Sequence, residues 1–296
     1  MKLSQLGEDR LLAQLVADLP GAKSVVTGAG DDCALLKFRR AQDLFVLKTD
    51  CVVESVHFSP RASAVDVGWK AMMRPLSDFA AVSALPEFAL ITLIVPGTRS
   101  TLWVRQLYRG LKRAAARFKL AIVGGETSAT PGAGSVAVAV VGFVERKRCV
   151  LRSGGKPGDD LFVTGRLGGA LRRKHLRFIP RIRESRWLTE NFRLHAMIDL
   201  SDGLGADLPR LARASKVAFK IDIDRLPVTP GCKIDNAISD GEDYELLFAI
   251  SPRDRERLEK KWRKKFPRVP LTRIGSLNRQ SAVSNQRLKS GYLHFK

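Results

Sequence analysis

Six short apolar runs, at residues 43–47, 88–95, 120–123, 135–144, 160–164 and 245–250, constrain the fold of this chain more than any other feature. They have the length and the Val, Ile, Leu and Phe content of β-strands, and the longest falls well short of the roughly 20 residues that a membrane-spanning helix needs. Helical periodicity appears between them, over residues 65–84 and 101–118. Strands interleaved with helices in this order predict an α/β or α+β fold. With 296 residues, 45% of them apolar, the chain can close one large or two medium cores. The turn Arg152-Ser-Gly-Gly-Lys-Pro-Gly-Asp159 follows a charged stretch at 145–148 and precedes a fresh strand, so a domain boundary is expected there.

Glu8 and Asp9 interrupt the segment where a secretory signal would need its apolar core, and the expectation is a cytoplasmic protein with no membrane association. Cys33, Cys51, Cys149 and Cys232 show no C-x-x-C spacing, which fits a reducing compartment and argues against a zinc site or a disulfide framework. The charge is less ordinary, since 51 Lys and Arg against 30 Asp and Glu leave a net +21. The excess gathers at 165–186, eight basic residues to one acid, and at 252–275, ten to three. Within the second stretch Leu258, Trp262 and Phe266 make one narrow stripe, the mark of an amphipathic helix with its other faces in solvent. No RNA-recognition signature, helix-turn-helix pattern or zinc-finger spacing accompanies the charge, so nucleic acid is not the expected partner.

In a chain short of acids, those that apolar segments deliver to small-residue turns are informative. Five places stand out: Gly28-Ala-Gly-Asp-Asp32, Lys48-Thr-Asp50, Ser77-Asp78, Gly124-Gly-Glu126 and Ile198-Asp-Leu-Ser-Asp-Gly203. Mg²⁺ takes oxygen ligands and bridges a few carboxylates to substrate phosphates, while glycine lets the backbone approach phosphate oxygens. One such acid alone is an ordinary turn or cap residue; five together point to divalent cations and phosphate. The histidines His57, His175, His195 and His294 are too scattered for zinc. Common phosphate cradles are missing too. Gly154-Gly-Lys-Pro157 has proline where a P-loop needs Ser or Thr, and Cys33 replaces the third glycine of a G-x-G-x-x-G that would start at Gly28.

The segments GAGDDCALL, KTD with His57 seven residues after Asp50, LSD, VGGET, RSGGKPGD, AMIDLSDGL and GEDYELLF follow the order found in thiamine-monophosphate kinases. The closing Gly291-Tyr-Leu-His-Phe295 resembles that family's terminal aromatic motif, so the similarity spans nearly the whole chain. The wider superfamily, marked by G-x-G-D-D, includes aminoimidazole ribonucleotide synthetase. The resemblance implies Mg²⁺-dependent transfer of the ATP γ-phosphoryl group directly onto thiamine monophosphate, without a covalent nucleophile. It also implies two α/β domains of the aminoimidazole ribonucleotide synthetase-like fold. Residues 1–145 would bind ATP and Mg²⁺ and pair in a homodimer, and residues 146–296 would close over nucleotide and substrate. By position, Asp32, Thr49, Asp50, Asp78, Glu126, Asp199 and Asp202 match metal ligands. Tyr108, Gly125, Glu126, Arg152 and Ser201 match the ATP site, and His57, Glu242 and Tyr292 match the thiamine phosphate site. The chemistry agrees, because joining two polyanions requires neutralisation more than a nucleophile.

This chain also departs from the family pattern. Lys48 stands where Ser is usual, Glu126 where Asp is usual, and Asp240 where Gly precedes GEDYEL; the segment after Gly165 is shortened. Two other readings stay open: a related ATP-using enzyme with another substrate, and a catalytically weakened basic protein that binds a polyanion.

Overall fold

The structure, a computed structural model, describes residues 24–27, 31–37, 42–279 and 291. Its first sheet contains β1 (Val25–Thr27), β2 (Ala34–Lys37), β3 (Asp43–Val53), β4 (Leu85–Val95), β5 (Ala121–Ala129) and β6 (Ser135–Glu145) in the order β1-β2-β3-β6-β4-β5. Among the described strands only β4 and β5 pair in parallel, and helix α2 (Thr101–Phe118) provides the crossover that a parallel pair needs. Strand periodicity sorts the two faces. On β6, Val136, Val138, Val140 and Val144 are buried, while the intervening residues are half-buried.

The buried face of this sheet meets helix α1 (Ala64–Ala81), which also packs on α2. Two glycines set that helix crossing: a Cβ on Gly68 would lie 2.1 Å from the Leu107 carbonyl oxygen, and one on Gly110 would lie 2.0 Å from that of Val65. The far side of α1 is covered by α4 (Ile182–Asn191) and β8 (Leu194–Asp199) of the second half. One apolar cluster therefore runs through both halves, including Met72, Phe79, Val138, Phe162 and Phe248. Enclosed on two sides, α1 buries not only apolar residues but also Lys70, Ser77 and Asp78.

The second sheet contains β7 (Asp160–Thr164), β8, β9 (Ala218–Ile221), β10 (Leu246–Ile250) and β11 (Leu271–Asn278), all antiparallel, in the order β8-β10-β7-β11-β9. Every residue of β7 and β10 is buried, which is why both read as unbroken apolar runs. On the face away from α1, Leu204, Leu208 and Leu211 of α5 (Leu204–Ala214) join Leu161, Ile198 and Leu247. The remaining helices are short α3 (Ala170–Arg173) and α6 (Ile234–Ser239), and α7 (Arg255–Lys265). The expected amphipathic stripe is realised on α7, with Leu258 and Trp262 buried.

Two local expectations change. Gly124-Gly-Glu126 is not a turn but lies within β5, where Gly125 presses so closely on β4 that a Cβ would meet the Ile91 carbonyl oxygen at 1.8 Å. Likewise β3 does not stop at Leu47 but continues through Lys48, Thr49 and Asp50 to Val53. Asp50 is thus a mid-strand residue.

Candidate active site between the two sheets

Three carboxylates converge where the sheets meet. Asp32 comes from the turn between β1 and β2, Asp78 from the last turn of α1, and Asp199 from the end of β8; each offers an oxygen within 4.8 Å of the others. All three are buried. The Ser77 hydroxyl donates to Asp199 at 2.6 Å, and Arg152 donates to both oxygens of Asp32, from Nε at 3.0 Å and Nη2 at 2.7 Å. Burial, reinforced by Asp32, pushes the Asp199 carboxyl up to about 7. Burial also drives Asp78 well above the carboxylate range, with Asp199, Asp50 and Asp32 adding repulsion and Lys48 opposing it. An all-oxygen donor set under mutual repulsion suits a hard divalent cation, which would relieve the desolvation and the repulsion together.

β3 feeds this cluster through its two-residue period. Lys48 and Asp50 share the face toward α1, where Lys48 Nζ lies 3.1 Å from Asp78 and 3.8 Å from Asp50. Burial alone would lower the Lys48 pKa, but Asp78 and Asp50 outweigh it and hold the ammonium charged. Arg74 of α1 pairs with Asp50 at 3.1 Å. Thr49 is exposed and alternates with these two residues, so it does not join the carboxylates. It does line a cavity of about 300 Å³ with Asp50, Cys51, His57 and Arg74. The ring of His57 is oriented by the Val53 backbone N–H, which donates to Nδ1 at 3.0 Å.

The IDLSDGL and GEDYELLF segments meet beside the cluster. Glu242 N donates to the Ser201 carbonyl at 2.6 Å and Tyr244 N to that of Leu200 at 2.8 Å, with Glu242 and Tyr244 both at positive φ. This strained turn directs Glu242 to the buried Lys70 ammonium, which also donates to the His57 carbonyl at 2.7 Å and lies 3.0 Å from His175 Nδ1. Burial works against the Glu242 carboxylate, but His175 and Lys70 hold it below its usual range. Asp202 is half-buried and pairs with Arg210, which also holds Asp207. The unusual Asp240 accepts from Gly169 N at 2.9 Å and from the Asn236 side chain at 3.1 Å, a local structural role.

Other candidate residues lie farther off. Glu126 is exposed on β5, level with Cys51 across the pairings to Thr92 and Ala137, so three strand spacings, roughly 14 Å, separate it from β3. Gly125 is beside it, and Tyr108 is half-buried on α2. Tyr292 lies outside the described residues. Sequence reasoning passed over Lys70, Arg74, Ser77 as the partner of Asp199, and Arg210; a lysine amid the apolar residues of α1 was the available signal for the first.

Both halves match models of AIR synthase related proteins, the N-terminal domain over residues 30–144 and the C-terminal domain over residues 152–275. Fold and site together define a two-domain AIR synthase-related protein. A thiamine-monophosphate kinase of Rhodopirellula baltica is 35% identical over 288 residues, covering 91% of this chain and 89% of the relative. That of Bacillus subtilis is 31% identical, covering 92% and 94%. A structure of AaThiL complexed with AMPPCP and TMP has a TM-score of 0.82 at 30% identity and covers 100% of this chain and 96% of its own. The chain belongs to the thiamine-monophosphate kinase family.

Proposed function

We infer that this chain transfers the γ-phosphoryl group of ATP to thiamine monophosphate, forming thiamine diphosphate and ADP. The observation that carries the reading is the convergence of buried Asp32, Asp78 and Asp199, with Arg152, where the two AIR synthase-related halves meet. These carboxylates and Asp50 would hold Mg²⁺, and Thr49 and Glu126, which lie outside the cluster, and Asp202 would serve further Mg²⁺ ions; bound there, the metal would supply neutralisation of the charge that gathers when two phosphates approach. The acceptor is a phosphate oxygen already largely ionised near neutrality, its second pKa being about 6, so no side chain has to remove a proton. Arg152 would exchange Asp32 for a phosphate of ATP, with Ser201, Tyr108, Gly125 and Glu126 as the other nucleotide contacts. His57, Glu242 and Tyr292 hold the thiamine phosphate, Glu242 being kept ionised and aimed by Lys70.

We divide these roles at 145/146, with nucleotide, metal and pairing functions before it and closure after it. The homodimer reading is supported by the sheet face turned away from α1, where Leu47, Phe88, Leu90, Val141 and Phe143 keep apolar surface that the described residues leave partly exposed. A cytoplasmic location fits the use of ATP. The test is chromatography of products from ATP, Mg²⁺ and either thiamine monophosphate or thiamine. Thiamine diphosphate should form from the monophosphate only when Mg²⁺ is present; ADP without it, or preference for free thiamine, would overturn the substrate assignment.

A further inference from the structure

Arg74 stands one helical turn before Asp78 on α1 and has no part in the reading above. Its Nη2 pairs with Asp50, yet Nε and Nη1 are shut off from solvent with no acceptor among the described residues. Buried guanidinium donors are nearly always satisfied, and an exception calls for an explanation, a bound ion among them. The same side chain lines the cavity that Thr49, Asp50, Cys51 and His57 enclose. That cavity adjoins the carboxylate cluster through Asp50, and its own acid would repel an incoming phosphate. A guanidinium reverses the sign, and its N–H groups make charge-assisted hydrogen bonds to phosphate oxygens.

We propose that Arg74 anchors the acceptor phosphate of thiamine monophosphate, its charge and one of its unpartnered N–H groups turning to a phosphate oxygen while Nη2 stays on Asp50. The proposal rests on the kinase reading and adds to it the residue that tells the phosphorylated vitamin from the free one. In the holo protein with Mg²⁺, calorimetry gives separate Kd values for thiamine monophosphate, thiamine and AMPPCP. Arg74→Met removes the charge and keeps a long side chain. It should cut the preference for the monophosphate over thiamine by about ten- to a hundredfold, with AMPPCP affinity changed less than about threefold. Arg74→Lys keeps a counter-charge for Asp50 without the guanidinium's further donors; it should fall between the two and provides the comparison if the methionine variant does not fold. A preference within about threefold of the unmodified chain, or equal weakening of AMPPCP and thiamine monophosphate, would mean that Arg74 is only the counter-ion of Asp50 and overturns the proposal. If the unmodified chain shows no preference for the monophosphate and makes no thiamine diphosphate, the kinase reading fails first and takes the proposal with it.

Discussion

Asp199 combines burial, a neighbouring carboxylate and a pKa near 7, so its folded and unfolded states differ in proton affinity. The folded pKa lies above the unfolded value of about 3.9, and the folded state holds the extra proton between them. Metal-free protein should therefore lose stability as pH rises from about 4 to 7, by a few kcal/mol for this group, and stay at that level above. In EDTA, Asp199→Asn should melt higher than the unmodified chain at pH 8, and the gap should shrink toward pH 4. Added Mg²⁺ should stabilise the unmodified chain more than the variant. A pH-independent gap would mean that Asp199 is ionised throughout. Lys48 presents the converse problem, since its ammonium already occupies the space between Asp50 and Asp78. If it stands in for part of one metal's charge, Lys48→Ser should bind more Mn²⁺ per chain by electron paramagnetic resonance and give a steeper Mg²⁺ titration of activity. Unchanged stoichiometry with superimposable titrations would show that the ammonium swings to solvent when metal binds.

At the scale of elements, α1 carries the largest share of the site: Lys70, Arg74, Ser77 and Asp78 are placed by one rigid helix. Its position depends on the glycine crossing with α2. Alanine is the better helix former by about 1 kcal/mol, but a methyl 2.1 Å from a backbone carbonyl oxygen cannot be accommodated by a rotamer change. Gly68→Ala should therefore lose about 1–3 kcal/mol in denaturant titration and reduce Mg²⁺ affinity, because the helix that carries Asp78 must shift away from α2. Stability and metal affinity both at the unmodified level would show that the crossing has slack. This helix also marks the limit of what the sequence discloses. Its length and Asp78 are legible from periodicity and motif, but besides the His57 carbonyl Lys70 meets His175 and Glu242, more than 100 residues away, and a one-dimensional pattern shows one buried face where α1 has two. Similarly, β5 looked like a turn because a glycine pair normally breaks a strand; only its parallel pairing with β4 explains why Gly125 has no room for a side chain. The far end of β3 was hidden because Lys48 and Asp50 interrupt an apolar run that the backbone continues.

For the whole molecule, net charge and apolar surface pull in opposite directions. Each chain carries +21, so two copies repel, and electrostatics alone would keep them apart. Yet one face of the first sheet leaves Leu85, Phe88 and Leu90 of β4 44–48% exposed, in register with half-buried Phe143 and Val141 of β6, which in turn face Phe45 and Leu47 of β3. A contiguous apolar patch of this kind on a regular sheet suits a self-complementary two-fold contact, where the same residues meet their own copies. Burial must then outweigh the repulsion, and salt should help because it screens the like charges while leaving apolar contact intact or strengthened. Light scattering should therefore give twice the chain mass of 32.7 kDa, and dissociation on dilution should become harder as NaCl rises from 50 to 500 mM, taken as about the practical range for screening. Assembly through bound polyanions has the reverse dependence, loosening as salt displaces the contacts. Phe88→Glu with Leu90→Glu should yield monomers at micromolar concentration by placing four carboxylates across the two-fold, a repulsion that the +21 background offsets only where basic side chains can reach them. A species of 32.7 kDa at every salt concentration in the unmodified chain, or a dimer that survives the paired glutamates, would remove this face from the account of how the molecule assembles.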